Sequence, residues 1–109
     1  MSERDPHKAI DFIYRQAPLY AKAKAERVRL EEFRKSKKAL LMAECEAPAV
    51  KAREQYAHAH PDYIAWLDGI AAAVETEETL RWQLVAAQET VAIWRTESAN
   101  NRAIDRAAA

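Results

Sequence analysis

The fold is decided by the stretch from Tyr63 to Trp94, which reads YIAWLDGIAAAVETEETLRWQLVAAQETVAIW. Its apolar residues recur at alternating spacings of three and four, and Glu77 is the single interruption. This is the pattern of heptad a and d positions, and it predicts a long α-helix that packs along another helix. We call this row the seam; its members are Tyr63, Trp66, Ile70, Ala73, Leu80, Leu84, Ala87, Val91 and Trp94.

The composition predicts that the rest of the chain is helical as well. The 109 residues include one glycine, Gly69, and four prolines, and half of them are hydrophobic. Folds rich in β-strands need many chain breakers and many residues with positive φ, so we expect an all-α protein. A chain of this length is expected to form one domain, spanning residues 1–109, with one modest core.

Two prolines set the predicted boundaries in the N-terminal half. Asp5 is a favourable N-cap and Pro6 a favourable first helical residue, so a short helix is predicted over residues 6–16. Pro18 lacks a backbone donor and clashes with the preceding turn, which separates this helix from a long basic helix over residues 18–45. A single kinked helix through Pro18 is the alternative.

Two further helices complete the predicted fold. Pro48 ends the basic helix, and a connector helix is predicted over residues 48–57. A turn over residues 58–62 then leads into the long helix that carries the seam, over residues 62–102. The basic helix is expected to turn its apolar residues toward the core, namely Leu19, Ala23, Leu30, Phe33, Leu40 and Leu41.

The unequal lengths of the two long helices predict self-association. At 1.5 Å per residue, the helix over 62–102 is about 60 Å long and the helix over 18–45 only about 40 Å. An antiparallel hairpin of the two then leaves Val91 and Trp94 uncovered, and a second copy would bury them, as a homodimer or a higher oligomer. A helix-swapped pair is the alternative to the hairpin. A polar seam residue often fixes register or oligomer state, which is the role predicted for Glu77.

The charges are unevenly distributed although the formal net charge is zero. Residues 15–42 contain nine basic and three acidic residues, whereas residues 43–109 contain six basic and eleven acidic ones. A basic helix can track a phosphate backbone, with Tyr20 and Phe33 as stacking faces. The alternative is a solvated face that partly neutralises the acidic helix. The candidate nucleic-acid residues are Lys22, Lys24, Arg27, Arg34, Lys35, Lys37 and Lys38.

The sequence contains no motif of catalysis or of cofactor binding. Phosphate-binding loops and nucleophile elbows need several glycines, and the chain has one. His58, His60 and Cys45 are metal-ligand types, but their spacing differs from that of structural zinc sites, and two polar histidines in a turn are the preferred interpretation. We therefore predict no enzymatic activity, no metal and no cofactor.

Trp82 lies outside the seam and next to Arg81. Tryptophan and arginine are enriched among the residues that dominate binding energy at protein interfaces. The pair is a candidate anchor for a partner protein, and packing of Trp82 on the short helices is the alternative.

Four stretches carry a resemblance to known proteins: residues 21–42, 60–63, 78–82 and 93–95. Together they resemble small helical proteins of tailed bacteriophages and prophages, encoded near single-strand-annealing recombinase genes. The resemblance covers roughly residues 14–95 and includes no catalytic motif. It implies a phage origin and a link to DNA metabolism, and it supplies no functional residues.

These observations predict a non-catalytic phage accessory protein that binds another protein, either of recombination or replication or of a host nuclease complex. Direct DNA binding by the basic helix is the first alternative, and a structural or assembly component is the second. No stretch reaches the roughly 18 apolar residues of a membrane span. The polar N-terminus is unlike a secretory signal, and a single cysteine suits a reducing compartment. The predicted location is the cytoplasm of a bacterial host.

Overall fold

The computed structural model describes residues 5–109, and within that range it consists of three helices without a β-strand. Helix α1 spans Pro6–Glu44, α2 spans Val50–Ala59 and α3 spans Pro61–Ala108. The prediction of an all-α protein is confirmed.

The start of α1 follows from its first two residues. The Asp5 carboxylate accepts hydrogen bonds from the backbone N–H groups of His7, at 2.9 Å, and Lys8, at 3.4 Å. The hydrogen bond from His7 is the main cause that lowers the pKa of Asp5. Asp5 is thus the N-cap, and Pro6 takes the first helical position, as predicted.

Helix α1 continues through Pro18, so the predicted boundary between a helix over 6–16 and one over 18–45 is wrong. A proline inside a helix costs about 3 kcal/mol relative to alanine. Pro18 lies on the exposed face of α1, while Ile13 before it and Tyr20 after it are at least half-buried. Packing on both sides of the proline holds the helix together against this local cost.

The ends of α2 and α3 also differ from the predicted ones. The connector helix runs over Val50–Ala59 rather than 48–57, and α3 over Pro61–Ala108 rather than 62–102. The predicted turn over 58–62 shrinks to His60, which alone is non-helical between α2 and α3. The imidazole Nδ1 of His60 accepts a hydrogen bond from the backbone N–H of Asp62 at 3.0 Å. This side-chain cap lets α3 begin directly after a single extended residue.

The chain divides into two compact units, 1–21 with 78–109 (unit 1) and 22–77 (unit 2). In unit 1, the first part of α1 runs antiparallel to the C-terminal part of α3. Its core consists of Ala9, Ala87 and Val91, with Phe12 and Ile13 packed against them.

In unit 2, the second part of α1 runs antiparallel to the first part of α3, and α2 completes the unit. Contacts of Arg27 with Glu77 and of Phe33 with Trp66 define the pairing of the two helices. Leu41, at the end of α1, and Ala57, in α2, are the buried hydrophobic residues of this unit among those that the structure describes.

The predicted core face of α1 is correct in part. Leu41 is buried, and Ala23 and Leu30 are half-buried. Leu19, Phe33 and Leu40 were also expected in the core, but all three are exposed. The row of α1 that faces α3 includes the charged Arg27. The prediction chose core positions by their apolar character, so it included residues of the neighbouring, exposed row.

Candidate interaction surfaces

The seam residues of unit 2 are partly covered, and Trp66 contacts α1 of the same unit. Tyr63, Trp66 and Ile70 are half-buried. The Trp66 indole N–H donates a hydrogen bond to the carbonyl oxygen of Leu30 at 2.9 Å, and its ring centroid lies 5.2 Å from that of Phe33. Trp66 therefore attaches α3 to α1 within the chain.

The seam residues of unit 1 are covered in the same way as far as Val91. Leu80 and Leu84 are half-buried, and Val91 is 8% exposed. The expectation that Val91 lies beyond the reach of α1 is wrong, because α1 begins at Pro6 rather than at Pro18. Trp94 is 45% exposed, with His7 at 6.5 Å between ring centroids.

The apolar character of the seam ends at Trp94. The next positions in the same row are Ser98, Asn101 and Asp105, all polar. The row is therefore apolar as far as α1 covers it and polar beyond. Dimerisation stays a prediction, but an uncovered seam no longer argues for it.

The polar interruption of the seam is a buried ion pair. Glu77 is 5% exposed, and Arg27 donates two hydrogen bonds to its carboxylate, from Nε to Oε2 and from Nη2 to Oε1. A third bond runs from Arg27 Nη1 to Glu31 at 2.9 Å. The bond to Glu77 is the main cause that raises the pKa of Arg27. Because a shifted register would leave a buried charge unpaired, this bidentate pair favours one alignment of α1 with α3.

Three of the predicted nucleic-acid residues are half-buried rather than exposed, namely Arg27, Lys37 and Lys38. The Arg27 guanidinium is held by Glu77 and Glu31, so the prediction that it faces a ligand is wrong. Lys37 is half-buried and lines a shallow depression of about 330 Å³ together with Trp66 and Gly69.

The predicted basic residues also lie on different sides of α1. Lys24, Lys35 and Lys38 share one side, because they are separated by eleven and three residues. Lys22 lies on the opposite side, and Arg34, seven residues after Arg27, lies along the row that faces α3 although it is exposed. The seven predicted residues therefore do not form one continuous basic strip.

Trp82 is 58% exposed on α3 of unit 1 and is held by its neighbour. The guanidinium carbon of Arg81 lies 4.5 Å from the Trp82 ring centroid, a cation–π geometry. Arg81 in turn donates hydrogen bonds to the Glu78 carboxylate, the shortest at 2.9 Å. The exposure favours the partner-anchor interpretation of Trp82 over packing on the short helices.

Near the α2–α3 junction, His60 lies in a polar cluster with Glu44 and Tyr56. His60 Nε2 lies 3.8 Å from Glu44 Oε2, to which the Tyr56 hydroxyl also donates at 3.4 Å. Burial, and then the Glu44 carboxylate, raise the pKa of Tyr56. Across residues 5–109, no group of three or more His, Cys, Asp or Glu side chains is placed to hold a metal ion.

No helix between residues 5 and 109 is long and apolar enough to cross a lipid bilayer.

A second apolar row on α3 of unit 2 was missed in the sequence. It consists of Ile64, Leu67, Ala71 and Val74, and we call it the lateral stripe. Its spacings of three and four could have revealed it. Each member of the lateral stripe directly follows a seam residue in the sequence. A search for one seam therefore does not separate the two rows.

The chain matches no protein-family model, and comparisons with curated proteins and with solved structures found no match.

Proposed function

We propose that the protein is a non-catalytic accessory protein that binds another protein through α3 of unit 1. The binding surface is the outer face of α3, formed by Trp82, Ala86 and Ile93. The observation that carries this proposal is the exposure of Trp82, 58%, together with the Arg81 side chain stacked on its ring.

The geometry of Trp82 suits an anchor for two physical reasons. A tryptophan side chain offers about 150–250 Å² for burial, which is more than most residues can contribute. The chain of contacts from Glu78 through Arg81 restrains the indole before binding, so less conformational entropy is lost when a partner buries it.

The spacing of the outer face suits a helix that lies in a groove of its partner. Ala86, Glu89 and Ile93 follow Trp82 by four, seven and eleven residues, so the face they share is apolar apart from the exposed Glu89. Ile93 is exposed as well. The partner surface that fits is an apolar groove with a pocket large enough for an indole.

The resemblance to phage proteins supplies the proposed setting. On that basis the partner is a protein of phage recombination or replication, or a host nuclease complex, in the bacterial cytoplasm. Binding the outer face would act by occlusion or by scaffolding, since neither requires a reaction at the surface.

A photo-crosslinking amino acid at position 82 tests the proposal in phage-infected bacteria. Tyr14, which is 78% exposed on α1 of the same unit, provides the control position. We expect a discrete adduct from position 82 and none from position 14. Trp82→Ala should lower recovery of the same partner at least about tenfold, as for a binding hot spot, whereas Tyr14→Ala should not. Equal adducts from both positions, or none from position 82, would refute the proposal.

DNA binding is the second candidate function, supported by the common side of Lys24, Lys35 and Lys38. Three phosphate contacts would give weak binding that raised salt reverses. Fluorescence anisotropy of labelled DNA should then rise with the protein and respond to Lys35→Glu. The absence of binding at low salt removes this candidate.

A further inference from the structure

The lateral stripe gives α3 of unit 2 a second apolar surface beside the seam. Ile64, Leu67 and Val74 are 48%, 39% and 36% exposed. The continuation of the same row in unit 1 is mainly polar, because Glu78, Arg81, Gln88 and Arg95 interrupt it around Val85 and Ala92. The stripe is therefore a feature of unit 2 and not a general property of α3. A helix that is apolar on two adjacent rows is typical of a bundle in which it has two neighbours. Helix α1 is one of them, and α2 meets α3 near its start, where the rings of His58 and Tyr63 lie 5.4 Å apart.

The chain exposes enough surface for a second copy to cover. Its accessible surface is 8215 Å², whereas compact monomers of 12.4 kDa expose about 6100 Å². The difference of about 2000 Å² per chain exceeds the roughly 800 Å² that a specific protein interface buries on each partner.

The charges of unit 2 are complementary between its two long segments. From Pro61 to Glu77, α3 carries four acidic residues and no basic one. From Lys22 to Glu44, α1 carries eight basic and four acidic residues. The stripe thus lies on an acidic helix beside a basic one.

Three of these basic residues lie on the same side of unit 2 as the stripe. If Arg27 and Glu77 are taken as a positions, then Lys24, Lys38, Leu67 and Val74 all occupy e positions. In an antiparallel helix pair the e positions of both helices lie on one side. That side therefore presents apolar residues from α3 and, from α1, the lysines at 24, 35 and 38, with Glu31 between them held by Arg27.

We propose that the partner for the lateral stripe is a second copy of this chain. The two copies meet through this side of unit 2 about a two-fold axis parallel to the helices, so that α1 of each lies over α3 of the other. The lysine stems then cover apolar surface while their ammonium groups reach the acidic residues of α3.

The pairing of α1 with α3 within unit 2 determines the level of each residue, that is, its height along the helix axis. Residues that meet between α1 and α3 have numbers adding to about 100, as in Arg27 with Glu77 and Phe33 with Trp66. A two-fold axis parallel to the helices leaves these heights unchanged, so residues that meet between the two copies follow the same rule. Lys35 of one copy is then level with Asp68 of the other, and Val28 is level with the small Ala71.

The molar mass of the full chain in solution, from light scattering over a wide concentration range, tests the proposal. The wild-type chain should approach twice its monomer mass, and Leu67→Glu should remain monomeric. Leu40→Glu is the matched control, because Leu40 is 59% exposed on the other side of unit 2. Circular dichroism checks that each variant is helical. A monomeric wild type, or equal association of both variants, overturns the proposal.

A charge exchange tests the arrangement without altering the stripe. Lys35→Glu and Asp68→Lys each place like charges at both symmetry-related contacts, so each variant alone should dimerise at least about tenfold more weakly. Mixed together, they should form a heterodimer, because both of its contacts then join opposite charges. Failure of the mixture to associate more strongly than either variant alone overturns the arrangement. Position 82 takes no part, so the crosslinking result is independent.

Discussion

Glu77 is the residue that departs most from the pattern around it, and its partner explains why it is tolerated. Its carboxylate is buried among apolar seam residues and is held by Arg27. Two helices held only by apolar contacts can shift their register by one turn with little loss of stability. The same shift in this helix pair would break the ion pair between Arg27 and Glu77.

Removing one partner of this pair should cost more stability than replacing both. Glu77→Leu removes two of the three hydrogen bonds that Arg27 makes to carboxylates, leaving the one to Glu31, and should lower the thermal unfolding midpoint by at least about 5 °C. The double variant Arg27→Met/Glu77→Leu should regain that loss or exceed the wild-type value. Differential scanning calorimetry makes the comparison, with Glu89→Leu at an exposed position of α3 as the control. A single variant as stable as the double one would contradict this account.

The helix elements show which local signals decide structure. The Asp5-Pro6 start and the heptad spacing of α3 are local patterns, and both predicted what the structure contains. Pro18 is a local signal as well, but the burial of Ile13 and Tyr20 around it outweighs the proline penalty, and no local pattern reports that burial. The error at Pro18 also produced the incorrect expectation about Val91.

Pro18 offers a direct test at this scale. Pro18→Ala restores a backbone donor to the middle of α1 and should raise the free energy of unfolding by about 1–3 kcal/mol. Pro6→Ala is the control, because a proline at the first helical position costs nothing and its replacement should not stabilise the chain. Urea denaturation measures both. An unchanged or lower stability for Pro18→Ala would show that the proline is accommodated without strain.

At the scale of the whole molecule, two helices contribute to both compact units. Helices α1 and α3 each have residues in unit 1 and in unit 2. Each unit buries few side chains, so cooperation through the shared helices is expected to contribute to the stability of both. The pairing of Glu77 with Arg27 and the exposure of the lateral stripe both depend on which segments of α1 and α3 meet. Local sequence patterns therefore do not predict them.

A core substitution in one unit should therefore shift a single unfolding transition. Leu41→Ala, at a residue only 2% exposed, should destabilise the chain by about 2–5 kcal/mol. Its neighbour Leu40 is exposed, and Leu40→Ala should change stability by no more than about 0.5 kcal/mol. Circular dichroism during heating should show one transition in each case. Two separated transitions in Leu41→Ala would show that the units unfold independently.

The only glycine of the sequence has a practical consequence. Gly69 lies within α3, and an added Cβ would meet no atom within 4 Å. It lies two residues from Leu67, which places it on the far side of the helix from the lateral stripe. Cys45 is the only native thiol, so a chain with Cys45→Ser and Gly69→Cys could be labelled with one fluorophore at a defined point. Such a label would report the approach of two copies by energy transfer without occupying the surface through which they meet.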